Sequence, residues 1–309
     1  MARSADDRYD VNGRTVFITG AARGIGKASA ERLYAKGANV ALVGLEPERL
    51  EENAAQLGER AAWFEADVTD FEALERAVAG TVERFGGIDV AIANAGLAFL
   101  GALATAPIEQ VERTRAVNLL GVWRTDRAVI SQILERNGYL LNIASAAAFT
   151  HGPLMGPYTA TKAGVEAMTD ALRLESAPFG AAIGCAYFGF IDTDLVKAAY
   201  AARPTEVLNQ RSPGFIRNPI PLARAIDTIE RGIERRSARV WAPRWIGPLL
   251  TLRGLVQPLT ERSLLRDPAE LREAIQLVDP ASGELPEQDP ALGVAAAALT
   301  PPARTPISR

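Results

Sequence analysis

From Arg14 to Pro243 the sequence alternates short apolar runs, rich in β-branched residues, with longer stretches of helical periodicity. The apolar runs are Thr15 to Thr19, Asn39 to Val43, AAWFEA just before Asp67, Ile88 to Gly96, Tyr139 to Ser145, AIGCAYF at 182–188, and Ala238 to Pro243. Helices are predicted from Gly24 to about Lys36 with Gly37 as C-cap, from Pro47, over Phe71 to Phe85, from Pro107 at an N1 position, and from Tyr158 to Glu175. Strands spaced by helices of this length build βαβ units, whose right-handed crossovers place helices on both faces of a parallel sheet.

The predicted fold class is therefore α/β: a Rossmann-type doubly wound, mainly parallel seven-stranded sheet with a C-terminal helical extension. Residues 1–243 are expected to form the Rossmann domain. Residues 244–273 read as an apolar helical extension, with Ile246, Leu249, Leu250, Leu252, Leu255 and Val256. Residues 274–309 form a Pro/Ala-rich tail expected to be disordered. The charged start MARSADDRYD has no secretory h-region, and no apolar run reaches the roughly 18 residues of a spanning helix, so the expected location is the cytoplasm. Arg244, Arg253 and three prolines interrupt the segment WAPRWIGPLLTLRGLVQPL. It is suited to covering the active-site mouth, packing on a partner subunit, or lying on a membrane surface.

Composition narrows the chemistry. A formal net charge of −3 leaves no basic surplus for a phosphate backbone, which argues against nucleic acid as a partner. The chain has a single histidine, His151, and a single cysteine, Cys185. Neither an internal disulfide nor a His/Cys zinc site can be assembled from them, and no metal is expected. Acid–base work falls to Tyr, Lys, Asp or Glu.

Two groups of residues could carry that work. Gly20, Arg23, Gly24, Ile25 and Gly26 lie in TGAARGIG, directly after the first strand and opening a helix. Glycines there let a pyrophosphate approach the backbone, and the helix end supplies N–H groups and a positive dipole. Asp67-Val68 closes the third run, as an adenine contact or a helix cap, and Asn94-Ala95-Gly96 closes the fourth. The second group is Ser145, Tyr158 and Lys162. The last two are four apart in YTATK and so share one helix face. A tyrosine with a pKa of about 10 is a weak base at neutral pH unless positive charge lowers it.

TGAARGIG, NAG at 94–96, Ser145 and YTATK, in this order, resemble the classical short-chain dehydrogenase/reductases over about residues 11 to 243. The resemblance implies hydride transfer between a nicotinamide cofactor and an alcohol/carbonyl pair. It makes Tyr158 the acid/base, Ser145 the stabiliser of the reacting oxygen, and Lys162 the ribose ligand that lowers the tyrosine pKa. By the same match Asn118 holds a water of the proton relay, Asp67 and Val68 contact adenine, Asn94 to Gly96 flank its ribose, and Ile191 and Thr193 contact the carboxamide. It also implies a homodimer or homotetramer built through the two long helices.

The chain departs from the family in two places. The segment after the sixth strand reads Phe188-Gly189, not Pro-Gly. At the end of the second strand Gly44 and Leu45 occupy the positions where an Asp selects NAD and an Arg selects NADP, and Glu46 follows. Glu46 could repel a 2′-phosphate or reach the ribose, and Arg23 could pair with that phosphate. The balance leans slightly to NADP(H) over NAD(H). The loop AAAFTHGPLMGP at 146–157, with Phe149, His151 and Met155, together with Phe188, suggests an apolar pocket for a hydrophobic secondary alcohol or ketone, steroid- or lipid-like in size. Residues 192–223 are expected to form a lid. The alternatives are a nucleotide-sensing Rossmann protein without turnover and a peripheral-membrane lipid dehydrogenase.

Overall fold

In a computed structural model of the protein, residues 8–194, 196–197, 218–265 and 268–277 are described. Among them, seven parallel strands form one sheet in the order β3-β2-β1-β4-β5-β6-β7. The strands are β1 (Thr15–Thr19), β2 (Asn39–Gly44), β3 (Ala61–Glu65), β4 (Val90–Ala93), β5 (Tyr139–Ile143), β6 (Ala182–Phe188) and β7 (Arg239–Ala242). β1, β4 and β5 are buried at every position, as expected of strands covered by helices on both faces.

The helices are α1 (Gly24–Ala35), α2 (Pro47–Leu57), α3 (Phe71–Phe85), α4 (Ile108–Arg115), α5 (Gly121–Glu135), α6 (Gly156–Ser176) and α7 (Leu222–Arg235). Beyond β7 come α8 (Ile246–Thr251), α9 (Arg253–Leu264) and α10 (Pro268–Gln276). Two cores lie on opposite faces of the sheet. One packs Leu33, Ile226, Ile229 and Ile233 of α1 and α7 on Ile18, Leu42 and Ile92. The other packs Leu74, Val129 and Ile133 of α3 and α5 on Phe17, Val43 and Leu140.

Three readings of the sequence change. The run from Ile88 to Gly96 is a strand only over Val90–Ala93, because Asn94–Gly96 turn out of the sheet. The long helix after Pro107 is interrupted by a π-helical turn at Ala116–Leu120. The tail expected to be disordered from residue 274 begins inside α10, where Ala274 is fully buried; residues 278–309 lie outside the described residues, as does most of the expected lid. No helix among the described residues is long and apolar enough to cross a membrane.

Candidate active site

Strand order reverses between β1 and β4: β1 leads to β2 on one side, and the chain later returns to lay β4 on the other. Ligands of open α/β sheets bind beyond the carboxyl ends at such a point. Here the glycine-rich loop meets the Asn94–Gly96 loop. Gly20 has φ 66°, in the left-handed region, and a Cβ there would come within 2.9 Å of Ala95 Cα. A Cβ on Gly26 would overlap the Gly20 carbonyl oxygen. Gly24 opens α1 with little around it, Thr193 Cγ2 standing 3.9 Å from where a Cβ would lie. No side chain caps α1 at Arg23, so the first-turn N–H groups and the positive dipole end face this crevice.

The Asn94 loop is held by Thr19, a residue the sequence reading passed over. Thr19 Oγ1 accepts from the Asn94 and Ala95 N–H groups at 3.1 and 3.3 Å. Asn94 Nδ2 donates to the Thr19 and Gly20 carbonyls at 3.0 and 3.2 Å. Its position as the last residue of β1, directly before Gly20, was the available signal.

Asn118 sits fully buried in the π-helical turn, a distortion common at functional sites. Its Oδ1 accepts from the Leu97 N–H at 2.6 Å and its Nδ2 donates to the Leu97 carbonyl at 2.8 Å. The side chain is thus spent on positioning the end of the Asn94 loop. Asp67 does not cap α3, since Asp70 accepts from Ala73 N–H and does so instead. Asp67 Oδ1 accepts from Thr69 N–H at 2.8 Å, turning the chain at the end of β3, and Val68 is buried against Gly121. Ile25 packs on the core and Ile191 is buried.

Ser145 follows β5, where its Oγ accepts from Ala147 N–H at 3.2 Å and donates to the Phe188 carbonyl at 3.3 Å. Tyr158 and Lys162 lie in the first two turns of α6. Burial pushes the Tyr158 phenol above its ordinary pKa, and a hydrogen bond with Ser145 opposes that rise. Lys162 is 4% exposed; its Nζ donates to the Ile143 carbonyl at 2.9 Å and stands 5.7 Å from the centroid of the Tyr158 ring. Burial lowers its pKa to about 8.

Arg23 and Glu46 form an ion pair between the glycine loop and the start of α2, while Leu45 is exposed beside them. Of the residues expected to line the substrate, Phe149 and Phe188 are each 3% exposed. Phe149 packs on Tyr187 and Phe188 lies in the core, so neither offers much surface to a ligand. Met155 is half-buried and His151 exposed. Among the described residues no group of three or more His, Cys, Asp or Glu side chains could hold a metal ion.

The short chain dehydrogenase family model matches residues 14–204. A sorbitol dehydrogenase from Cereibacter sphaeroides is 34% identical over 59% of this chain and 72% of its own length. Levodione reductase superposes with a TM-score of 0.68 at 26% identity, covering 75% of this chain and 96% of its own. An alcohol dehydrogenase from Thermococcus sibiricus, solved with 5-hydroxy-NADP, gives 0.64 at 27% identity, over 74% and 94% of the two chains. With this fold and this order of site residues, the chain belongs to the short-chain dehydrogenase/reductase family, and it is an oxidoreductase.

Proposed function

We propose that the protein transfers a hydride between a nicotinamide dinucleotide and a hydrophobic secondary alcohol or ketone. The observation that carries this reading is the convergence, beyond the carboxyl ends of β1, β4 and β5, of the glycine cradle on α1 with Ser145, Tyr158 and Lys162. The cradle fits a dinucleotide: Cβ atoms at Gly20 and Gly26 would fill it, and the uncapped start of α1 suits a pyrophosphate. Gly24 to Gly26 would hold the phosphates, the Asn94 loop and Asp67 the adenosine, and Lys162 the nicotinamide ribose. The nicotinamide supplies or accepts the hydride when bound.

Tyr158 holds the proton exchanged with the substrate oxygen, and Ser145 Oγ hydrogen-bonds that same oxygen. In the reduction direction the phenol's raised pKa keeps the proton in place until the carbonyl accepts it. Lys162 brings a positive charge close to the phenol and stabilises the phenolate left behind. Asn118 acts through the loop it clasps.

Arg23 supports use of NADP(H), but its pairing with Glu46 offsets that charge, so we place the two cofactors near parity. A homodimer or homotetramer through α5 and α6 agrees with the groove of about 310 Å³ that Trp123, Ile130, Met168 and Leu172 line between them. A peripheral-membrane role finds support in Leu252, Leu255, Leu259 and Leu265, each more than half exposed on the extension. Liposome sedimentation tests it. The central experiment is titration with NADH and NADPH followed by a panel of hydrophobic ketones. Absence of any turnover with either cofactor would reject the proposed reaction on hydrophobic ketones.

A further inference from the structure

The extension beyond β7 fastens to the catalytic apparatus at several separate places. Ile246 is fully buried, and with Trp245, Leu249 and Leu250 it packs into the cluster that contains Phe149, Val165 and Tyr187. Arg253, the first residue of α9, places Nη1 2.9 Å from both carboxylate oxygens of Glu166. Glu166 is 6% exposed, also accepts from the Tyr187 hydroxyl at 2.9 Å, and lies four residues beyond Lys162 on α6. A buried carboxylate without such partners would be costly, so Arg253 sets where α9 sits.

One turn further along, Gln257 clasps the main chain of His151. Its Oε1 accepts from the His151 N–H at 3.0 Å, and its Nε2 donates to the His151 carbonyl at 3.3 Å. In α10, fully buried Ala274 packs with Leu277 on Leu154, Leu100 and Ala102. The last two belong to the segment after β4, which the bond from Gly101 N–H to the Leu154 carbonyl, at 2.8 Å, joins to the loop at 146–157. The extension thus holds both segments that leave the carboxyl ends of β4 and β5, where the reacting groups lie.

We infer that residues 246–265 and 268–277 form the outer wall of the substrate pocket within the same subunit, and that Gln257 and Ala274 are its specificity-determining positions. This rests on the hydrophobic alcohol or ketone reading above. Gln257 fixes the loop at 146–157, and Ala274 seats the helix that narrows the opening. Together they limit the size of alcohol or ketone admitted. Neither touches the glycine cradle, so cofactor binding is independent of both.

The test uses the full chain carrying Gln257→Ala or, separately, Ala274→Asp, which places a charge in a buried site and lifts α10. For each, kcat/KM is measured for a compact cyclic ketone and for a bulky bicyclic one. The dissociation constant of the preferred cofactor and amide hydrogen exchange across residues 146–157 are measured alongside. We expect the bulky-to-compact ratio of kcat/KM to rise about tenfold. Exchange should quicken in 146–157 but not in β1 or β2, and cofactor affinity should stay within about twofold of wild type. An unchanged ratio, or equal losses for both ketones, overturns the proposal as mere structural support. If the wild type turns over neither ketone, the hydrophobic-ketone reading falls while membership of the family stands, and exchange then decides whether the extension holds this loop: faster exchange in 146–157 supports it, and unchanged exchange refutes the wall.

Discussion

Arg23 and Glu46 form an ion pair between the N-terminal end of α1 and the start of α2. The guanidinium best placed to recognise a 2′-phosphate is therefore already opposed by a carboxylate. A phosphate arriving there meets little net charge and must compete with Glu46 for the same donors. Glu46→Gln should shift the ratio of dissociation constants toward NADPH by about tenfold, and Arg23→Ala should shift it toward NADH. Fluorescence titration with both reduced cofactors reads the two shifts directly. A ratio that ignores Glu46→Gln would show that the selector lies elsewhere.

In the proposed reaction Tyr158 and Ser145 act on one oxygen in different ways. Tyr158→Phe removes the proton donor and should lower kcat by about 10²- to 10⁴-fold, while NAD(P)H still binds. Ser145→Ala keeps the phenol but removes the group that restrains its pKa rise. In the oxidation direction, where the phenolate must form, the pH profile of the Ser145→Ala variant should move to higher pH. Near-normal turnover by Tyr158→Phe would reject the acid/base assignment.

The parts of the molecule readable in the sequence are those that depend on near neighbours in the chain. Gly20 and Gly26 signal a close approach because only glycine tolerates it, Gly24 signals a left-handed turn, and Tyr158 and Lys162 share a face because they are one helical turn apart. Interrupted elements were harder: the π-helical turn around Asn118 carries no periodicity of its own, and the Leu97 main chain that Asn118 bonds lies 21 residues away. α7 is strongly amphipathic over Leu222–Arg235, yet it went unread because its start falls within residues 192–223, expected as a lid. The extension was least legible. Arg253 looked like an interruption of an apolar run because its partner, Glu166, is 87 residues away.

Lys162 should be held at a cost in stability. Its folded pKa is depressed from 10.5 to about 8 by burial, so near neutral pH the folded protein carries a charge it would better shed. The penalty is greatest below pH 8 and fades as pH rises toward 10.5, where the unfolded chain also loses the proton. Lys162→Met removes the penalty but leaves the Ile143 carbonyl without its donor, and the net gain at pH 7 should be about 1 kcal/mol. Activity should fall sharply in the same variant. Thermal unfolding at pH 7 and pH 10 checks both the gain and its shrinkage. An equal difference at the two pH values would contradict a buried ammonium.

Asp126 on α5 titrates in the opposite sense. It is 5% exposed, one carboxylate oxygen accepts from Asn142 Nδ2 at 2.8 Å, and the other has no partner among the described residues. Burial raises its pKa to about 8, so the folded state retains a proton that the unfolded chain gives up near pH 4. The resulting stability is fully present below pH 4 and disappears as pH rises through 8. Above that pH the fold must hold a carboxylate with a single hydrogen bond, in a layer shared with Thr169. Asp126→Asn keeps the acceptor for Asn142 and cannot ionise. Its melting temperature should match wild type near pH 5 and exceed it at pH 9, by the equivalent of about 1 kcal/mol or more. Melting curves of the two proteins from pH 5 to pH 9 should therefore diverge, and curves that stay parallel would mean that Asp126 is ionised in the folded protein throughout.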